Sequence, residues 1–317
     1  MIRLIVNRLW QAALVLLVLS YLIYGLIGLM PGDPIDLMLT ADPKLTTEDV
    51  IRLKSLFGLD QPIYLRWWHW LQSAVRGDFG FSRLYAAPVF DVLWPALANT
   101  AVLLGSALVL ALVIAIPAGI YVATRPRSFA DYLVNLVAFA GISVPSFWFA
   151  LVLIVVFAVH WGVLPAGGTG DTDLGGAWSH LKYLVLPIAT LAFATVGDQI
   201  RFMRGAMIEA LRQDYVRTAR AKGLSERRVV IHHAARNALN PIVTVLGLQF
   251  GALFSGALVT EIIFGWPGMG RLIFDSIMGN DFNLALIALM LATAATLLGN
   301  LLSDLLYAWL DPRVSYE

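Results

Sequence analysis

Long uncharged apolar runs alternate with polar intervals along this chain and set its first-order plan. Leu9 to Met30 is 22 residues without a charge, preceded by Arg3 and Arg8. A cleaved leader has a core of about 7–15 apolar residues and a small-residue cleavage site. This run is longer, so it is expected as a retained first span. Thr100 to Thr124 follows with 25 uncharged residues, and Tyr132 to Val159 is a third run that contains Gly141 and Pro145. Leu181 to Ile200 is a weaker fourth, interrupted by Pro187 and ended by Asp198. Asn237 to Thr260 is a fifth, and Phe282 to Ser303 a sixth that runs on through Asp304 to Leu310. About 20 apolar residues in a helix cross the hydrocarbon core. The pattern predicts an all-α membrane protein with six transmembrane helices.

The intervals have their own periodicity. Residues 31–99 form an extramembrane helical segment: Thr46-Thr-Glu-Asp49 reads as a capping signature ahead of Val50, Ile51, Leu53, Leu56 and Phe57. A second amphipathic stretch carries Trp67, Trp68, Trp70 and Leu71, which suits the headgroup level of a bilayer. Gly77-Asp-Phe-Gly80 reads as a turn, and 161–180 as a glycine-rich loop. The expected organisation is a first span over 1–30, the segment 31–99, and a five-span core over 100–317. Gly141 and Pro145 loosen the third run, either for helix packing or for a kink on a translocation path.

Charge changes the picture most between Arg201 and Arg236. Nine of the chain's 22 Lys and Arg fall there against Glu209, Asp214 and Glu226, a net of +6. Met207, Ile208, Leu211, Tyr215 and Val216 recur at helical spacing, so an amphipathic helix is expected. Gly223 is placed as its C′ stop and Ser225 as the N-cap of a second short helix. Basic bias alone retains a loop in the cytoplasm. The small residues Ala219, Ala221 and Gly223, interleaved with the charges, exceed that need and point to a docking surface for a soluble partner. Six spans put both termini on one side. That side carries 14 basic residues against two, Lys182 and Arg271, once the long 31–99 segment is set aside. Both termini are therefore expected to be cytoplasmic.

Composition confirms the class and removes several chemistries. The chain is 59% hydrophobic and 14% charged, with a mean hydropathy of +0.76; soluble domains carry about 25% charge. There is no cysteine, and the five histidines are scattered. None of the four lysines (Lys44, Lys54, Lys182, Lys222) lies in a phosphate-binding loop, and HExxH, GxSxG and GxGxxG are absent from the sequence. No catalytic or metal-ligating residues are assigned. The formal charge of +1 gives no reason to expect nucleic acid. Asp198, Glu261 and Asp304 are read as interfacial rather than as a proton relay.

Tyr215-Val-Arg-Thr-Ala-Arg-Ala-Lys-Gly-Leu-Ser225, followed by Arg236-Asn-Ala-Leu-Asn-Pro241, resembles the cytoplasmic loop of dipeptide/oligopeptide/nickel ABC-importer permeases. The likeness extends through Pro31-Gly-Asp-Pro34, Gly77-Asp-Phe-Gly80-Phe-Ser82, Trp266-Pro-Gly-Met-Gly270 and Asp304-Leu-Leu-Tyr-Ala-Trp-Leu-Asp-Pro-Arg313. It implies a type I ABC importer permease-like fold in a bacterial inner membrane, of the first of two paired permease types. The implied partners are a homologous second permease, two cytoplasmic ATPase subunits that bind ATP and Mg, an extracytoplasmic solute-binding protein and membrane lipid. The permease itself would hold no cofactor.

The resemblance makes Tyr215, Arg217, Thr218, Ala219, Arg220, Ala221, Lys222, Gly223, Leu224, Ser225 and Glu226 the ATPase-coupling residues. Asp78, Phe79, Gly80, Trp266, Pro267 and Gly268 are candidates for contact with the binding protein. Gly141, Pro145, Asp198 and Gln249 are candidates for the translocation path. Arg217 and Thr218 stand where the family's loop has Glu-Ala, and Pro241 falls later than its proline, so no role for that glutamate carries over. Peptides are the expected cargo, with nickel, sugars or opines as alternatives within the family. An ion-coupled secondary transporter is the alternative outside it.

Overall fold

The computed structural model describes residues 2–28, 60–170, 172–239, 242 and 257–310. The capping signature at 46–57, Pro31–Pro34, Gln249, most of the expected fifth span and the tail beyond 310 lie outside them. The described chain is almost wholly helical. It contains four helices long and apolar enough to cross a membrane, or five if a bent pair counts as one span. Two compact units divide it.

The first unit comprises the described residues of Ile2–Leu97 and Leu272–Ala295. Helix α1, Ile2–Gly28, is uncharged from Leu9 onward and leaves Val6, Leu9, Trp10, Leu14 and Leu22 exposed, as a lipid-facing span requires. Helix α2, Ile63–Val75, packs on it: the Trp67 indole donates to Ser20 at 3.1 Å and lies edge-on to Tyr21. The unit also holds a two-residue hairpin, β1 (Phe81–Ser82) paired with β2 (Ala87–Pro88). Asp281 caps the last helix through the Leu284 N–H and receives the Ser82 hydroxyl at 2.6 Å and the Leu84 N–H at 2.9 Å. Ile27, Ala285 and Leu286 form its buried apolar centre.

The second unit comprises the described residues of Ala98–Arg271 and Thr296–Glu317. Helix α3 spans Val89–Ala123, so it starts eleven residues before the expected Thr100 and absorbs the end of the supposed extramembrane segment. Ala107, Ala111 and Ala115 recur every four residues and are fully buried, which lets α3 approach its neighbour closely. The third run is not one straight helix. Val144 is extended, as a residue before proline tends to be, and splits the run into α4 (Phe129–Ser143) and α5 (Ser146–Leu153). The second helix continues π-wound through Ile154–His160, and the pair is bent by 104°.

Helix α6, Thr172–Leu211, overturns two expectations. It is helical from Thr172, so only the first half of the glycine-rich 161–180 stretch is a loop. It also runs straight past Pro187, Asp198 and Arg201, where charge had marked the end of the fourth run. A bilayer bounds hydropathy but does not unwind backbone, so a helix continues into polar surroundings when packing supports it. Beyond it come α7 (Asp214–Ala221), α8 (Glu226–Arg228, π-wound on through Ala235), α9 (Met269–Met278) and α10 (Phe282–Leu310).

Candidate docking site

The basic stretch is not one amphipathic helix. Its first part, through Leu211, is the end of α6, and a turn at Arg212-Gln213 separates this from α7. In α7, Val216 and Ala219 are buried three residues apart, while Tyr215, Arg217, Thr218, Arg220 and Ala221 are exposed. The buried side joins Met203, Met207 and Ala210 of α6, Ala123 of α3, and Val229, Ala234 and Ala235 after α8 in one apolar cluster. The segment is thereby packed as a folded elbow on two span ends. Ala219 consequently serves the chain's own packing, and of the two expected close-approach alanines only Ala221 faces outward.

Gly223 takes φ +76°. Leu224 N–H bonds to the Ala219 carbonyl and Gly223 N–H to the Arg220 carbonyl, the paired bonds of a Schellman stop, with Leu224 folded onto the same cluster. A side chain at Gly223 would meet nothing within 4 Å, so the glycine is required by its dihedral alone. Ser225 does sit at the N-cap with extended backbone, but its hydroxyl makes no cap bond. Capping comes from its carbonyl, which accepts from Arg228 and Val229.

Arg220 reaches across this turn and grips Glu226 with two bonds, 2.6 and 3.1 Å. Those bonds hold the Glu226 carboxyl below its ordinary value and the Arg220 guanidinium above its own. A depressed carboxyl contributes stability above the unfolded value and loses it as pH falls through the folded one. The brace should therefore weaken only on acidification below the usual glutamate range. Arg220→Gln is expected to return Glu226 to an ordinary titration and to speed amide exchange at Gly223 and Leu224. Unchanged exchange would show that the Schellman bonds hold the turn unaided. Arg212, Lys222, Arg227, Arg228 and Arg236 point outward and form no ion pair among the described residues. The result is a cationic ridge on a preformed turn, suited to an acidic cleft.

The other candidates fare unequally. Asp78 accepts the Gly80 N–H at 3.0 Å, Phe79 packs edge-on to Phe90, and Asp78 and Gly80 stay exposed. Trp266 and Gly268 are buried and offer a partner no surface; Pro267 alone is exposed there. The Trp266 indole donates to the Asn99 carbonyl and the Asn99 amide donates to Pro267. Beneath them lies Glu261, 0% exposed, which accepts from Thr100 Oγ1 at 2.6 Å, Gly270 N–H at 2.7 Å and Arg271 N–H at 3.2 Å. An acid at the N-terminus of α9, fully supplied with donors, is a structural pin.

On the path candidates, Gly141 is buried with no space for a side chain, because the Phe193 carbonyl lies 2.8 Å from where its Cβ would be. Pro145 is exposed at the bend, and Asp198 is half exposed with Arg201 at 3.9 Å. Sequence reasoning passed over two residues. Asp131 is 4% exposed and bound by both arms of Arg204, and Gln199 is 1% exposed with neither end of its amide hydrogen-bonded among the described residues. Asp131 lies in the short charged interval with Arg125 and Arg127, and Gln199 lies between Asp198 and Arg201, so neither stands out from its charged neighbours in the sequence.

Several apolar membrane-length helices and a folded basic elbow define a membrane protein with a structured polar segment between its helices. The chain belongs to the family of binding-protein-dependent transport system inner membrane components: that family's model matches residues 115–316, and its N-terminal companion matches 1–94. It is 38% identical over 315 residues to the oligopeptide transport system permease protein AppB of Bacillus subtilis, covering 98% of this chain and 99% of that protein. It is 37% identical to the glutathione transport system permease protein GsiC of Escherichia coli K12 over the full length of both.

Proposed function

We propose that this permease imports small peptides, with ATP hydrolysed by separate subunits that grip the chain through residues 214–236. The names of the relatives, oligopeptide and glutathione permeases, support peptide cargo. The assembly proposed contains a second, homologous permease, two ATPase subunits carrying ATP and Mg, and an extracytoplasmic binding protein. The chain sits in the inner membrane with six spans and both termini in the cytoplasm. Asp78, Gly80 and Pro267 are the exposed members of the set proposed to meet the binding protein.

The observation that carries the reading is the elbow itself. Cations project from a turn whose backbone is fixed by the Gly223 dihedral and the Arg220–Glu226 brace. A cytoplasmic retention signal needs charge but no such pre-organisation.

Three variants at one position test it. Gly223→Asn tolerates a left-handed backbone, and Gly223→Ala is expected to cost about 1 kcal/mol of strain. Gly223→Trp carries the same backbone strain as Ala and adds bulk beyond a Cβ position that is open to 4 Å among the described residues. Uptake by the reconstituted complex should be near normal for Asn, modestly reduced for Ala and lowered roughly tenfold or more for Trp, with ATPase association weakened in parallel, as at a buried interface position. If tryptophan leaves ATPase binding and uptake intact, the elbow is not the docking site.

A further inference from the structure

Helices α4 and α6 are joined along their whole shared length by three contacts in one antiparallel register. At one end Arg204 donates from Nε to Asp131 Oδ1 and from NH2 to Oδ2, both at 2.7 Å. Seven residues further along α4 there is no room for a Cβ on Gly197 beside the Ala138 carbonyl. Three residues beyond that, the Phe193 carbonyl closes on Gly141, and the Phe193 ring stacks on Phe149 at 4.0 Å. Backbones this close cannot slide without one glycine striking a carbonyl. Arg201 adds a fourth tie over the Phe139 ring at 5.3 Å.

The polar end is over-determined. Asp131 also accepts the Arg127 N–H at 3.0 Å and the Asn135 amide at 2.8 Å, and its own N–H is capped by Ser128. Arg127 is held at φ +63° by this arrangement, a conformation costly for a residue with a side chain. Nothing in helix packing alone requires four donors on one buried carboxylate. At its other end α4 stops at the Val144–Pro145 bend, and α6 holds α5 just beyond it through the Phe193–Phe149 stack. The α6 end shares its apolar cluster with the elbow: Met203, on the residue before Arg204, packs in that cluster.

We propose that α4 and α6 act as a single rigid strut, pinned by Asp131 and Arg204, that carries displacement of the 214–236 elbow to the Val144–Pro145 bend. Asp131 and Arg204 are positioning residues: neither needs to touch cargo or nucleotide. The inference rests on the docking role proposed above for the elbow.

The test uses the complete reconstituted importer and reads cargo moved per ATP hydrolysed. Arg204→Gln leaves the buried Asp131 carboxylate without its fork, and Asp131→Asn leaves the partly exposed Arg204 without its counter-charge; both are expected to lower that ratio roughly tenfold while ATPase subunits stay bound. Arg204→Lys keeps the charge without the fork and should fall between them and the wild type. The exchange pair D131R/R204D should recover part of the loss. A normal ratio in Asp131→Asn overturns the inference. The chain has no cysteine, so a second arm adds Val134→Cys with Arg201→Cys on facing turns and joins them with a short bismaleimide. A rigid strut tolerates this link, and cross-linked importer should transport as the unlinked double variant does. If linking abolishes uptake while hydrolysis continues, the helices must slide and the inference fails, even where Asp131→Asn does not assemble. Loss of ATPase binding is the separate signature of the Gly223 series, so failure of the docking reading is distinguishable.

Discussion

Gly197→Leu is expected to abolish accumulation of the protein in the membrane. The Cβ alone would collide with the Ala138 carbonyl, a backbone atom that has no rotamer to escape into. Relief requires separating α4 from α6, which draws Arg204 away from Asp131 and opens the close approach of the Phe193 carbonyl to Gly141. Overpacking costs about 1–3 kcal/mol in ordinary cores, and parting Arg204 from the buried Asp131 carboxylate adds to it, by less than a wholly buried pair would because the guanidinium is partly exposed. Together these are a large fraction of a typical folding stability of about 5–15 kcal/mol. Even Gly197→Ala should lower the thermal midpoint of the detergent-solubilised chain by several degrees. Gly205 on the same helix has nothing within 4 Å, so Gly205→Ala should be neutral or stabilising by about 0.5–1 kcal/mol. Equal effects at the two positions would show that helix propensity, not close approach, governs them.

Glu261→Leu is the second large effect. It would strand the Thr100 hydroxyl and the Gly270 and Arg271 N–H groups, with Thr100 and Gly270 buried. Each orphaned buried group costs about 1–3 kcal/mol, so a loss of about 3 kcal/mol or more is expected. Gln at this position supplies one acceptor oxygen but turns an amide donor toward donors, so it should fall between. Trp266→Phe removes the indole bond to Asn99, about 1 kcal/mol, and also leaves a gap in the buried cluster beside His180, so it should cost somewhat more than the bond alone. Protease resistance of the 261–271 segment in solubilised protein ranks the three. If Glu261→Leu were as resistant as the wild type, water would have to satisfy the donors.

Much of this was legible in the chain. The Leu9–Met30, Thr100–Thr124 and Phe282–Ser303 runs found their helices because continuous apolarity is a long, redundant signal. Gly223 was found because only a glycine stop explains a small residue between two amphipathic stretches, and its φ of +76° agrees. The end of α6 was misplaced because Asp198 and Arg201 mark polarity, not backbone geometry. Trp266 and Gly268 were candidates for contact only through the family resemblance, which says nothing of burial. Their burial depends on Glu261 and Asn99, and Asn99 lies more than 160 residues away. The Asp131–Arg204 pair spans 73 residues, and no local pattern announces which arginine among nine turns inward.

The hairpin clasp on Asp281 has a consequence for how the protein is made. Ser82 leaves the ribosome 199 residues before the carboxylate it must meet, and Ile27 still earlier relative to Ala285 and Leu286. The opening helix therefore has only α2 beside it for most of translation and waits for Ala285 and Leu286 until the chain is nearly complete. Truncation anywhere before the closing helix leaves that early portion with its apolar seam uncovered, so unfinished chains present quality control with a marker that only completion erases.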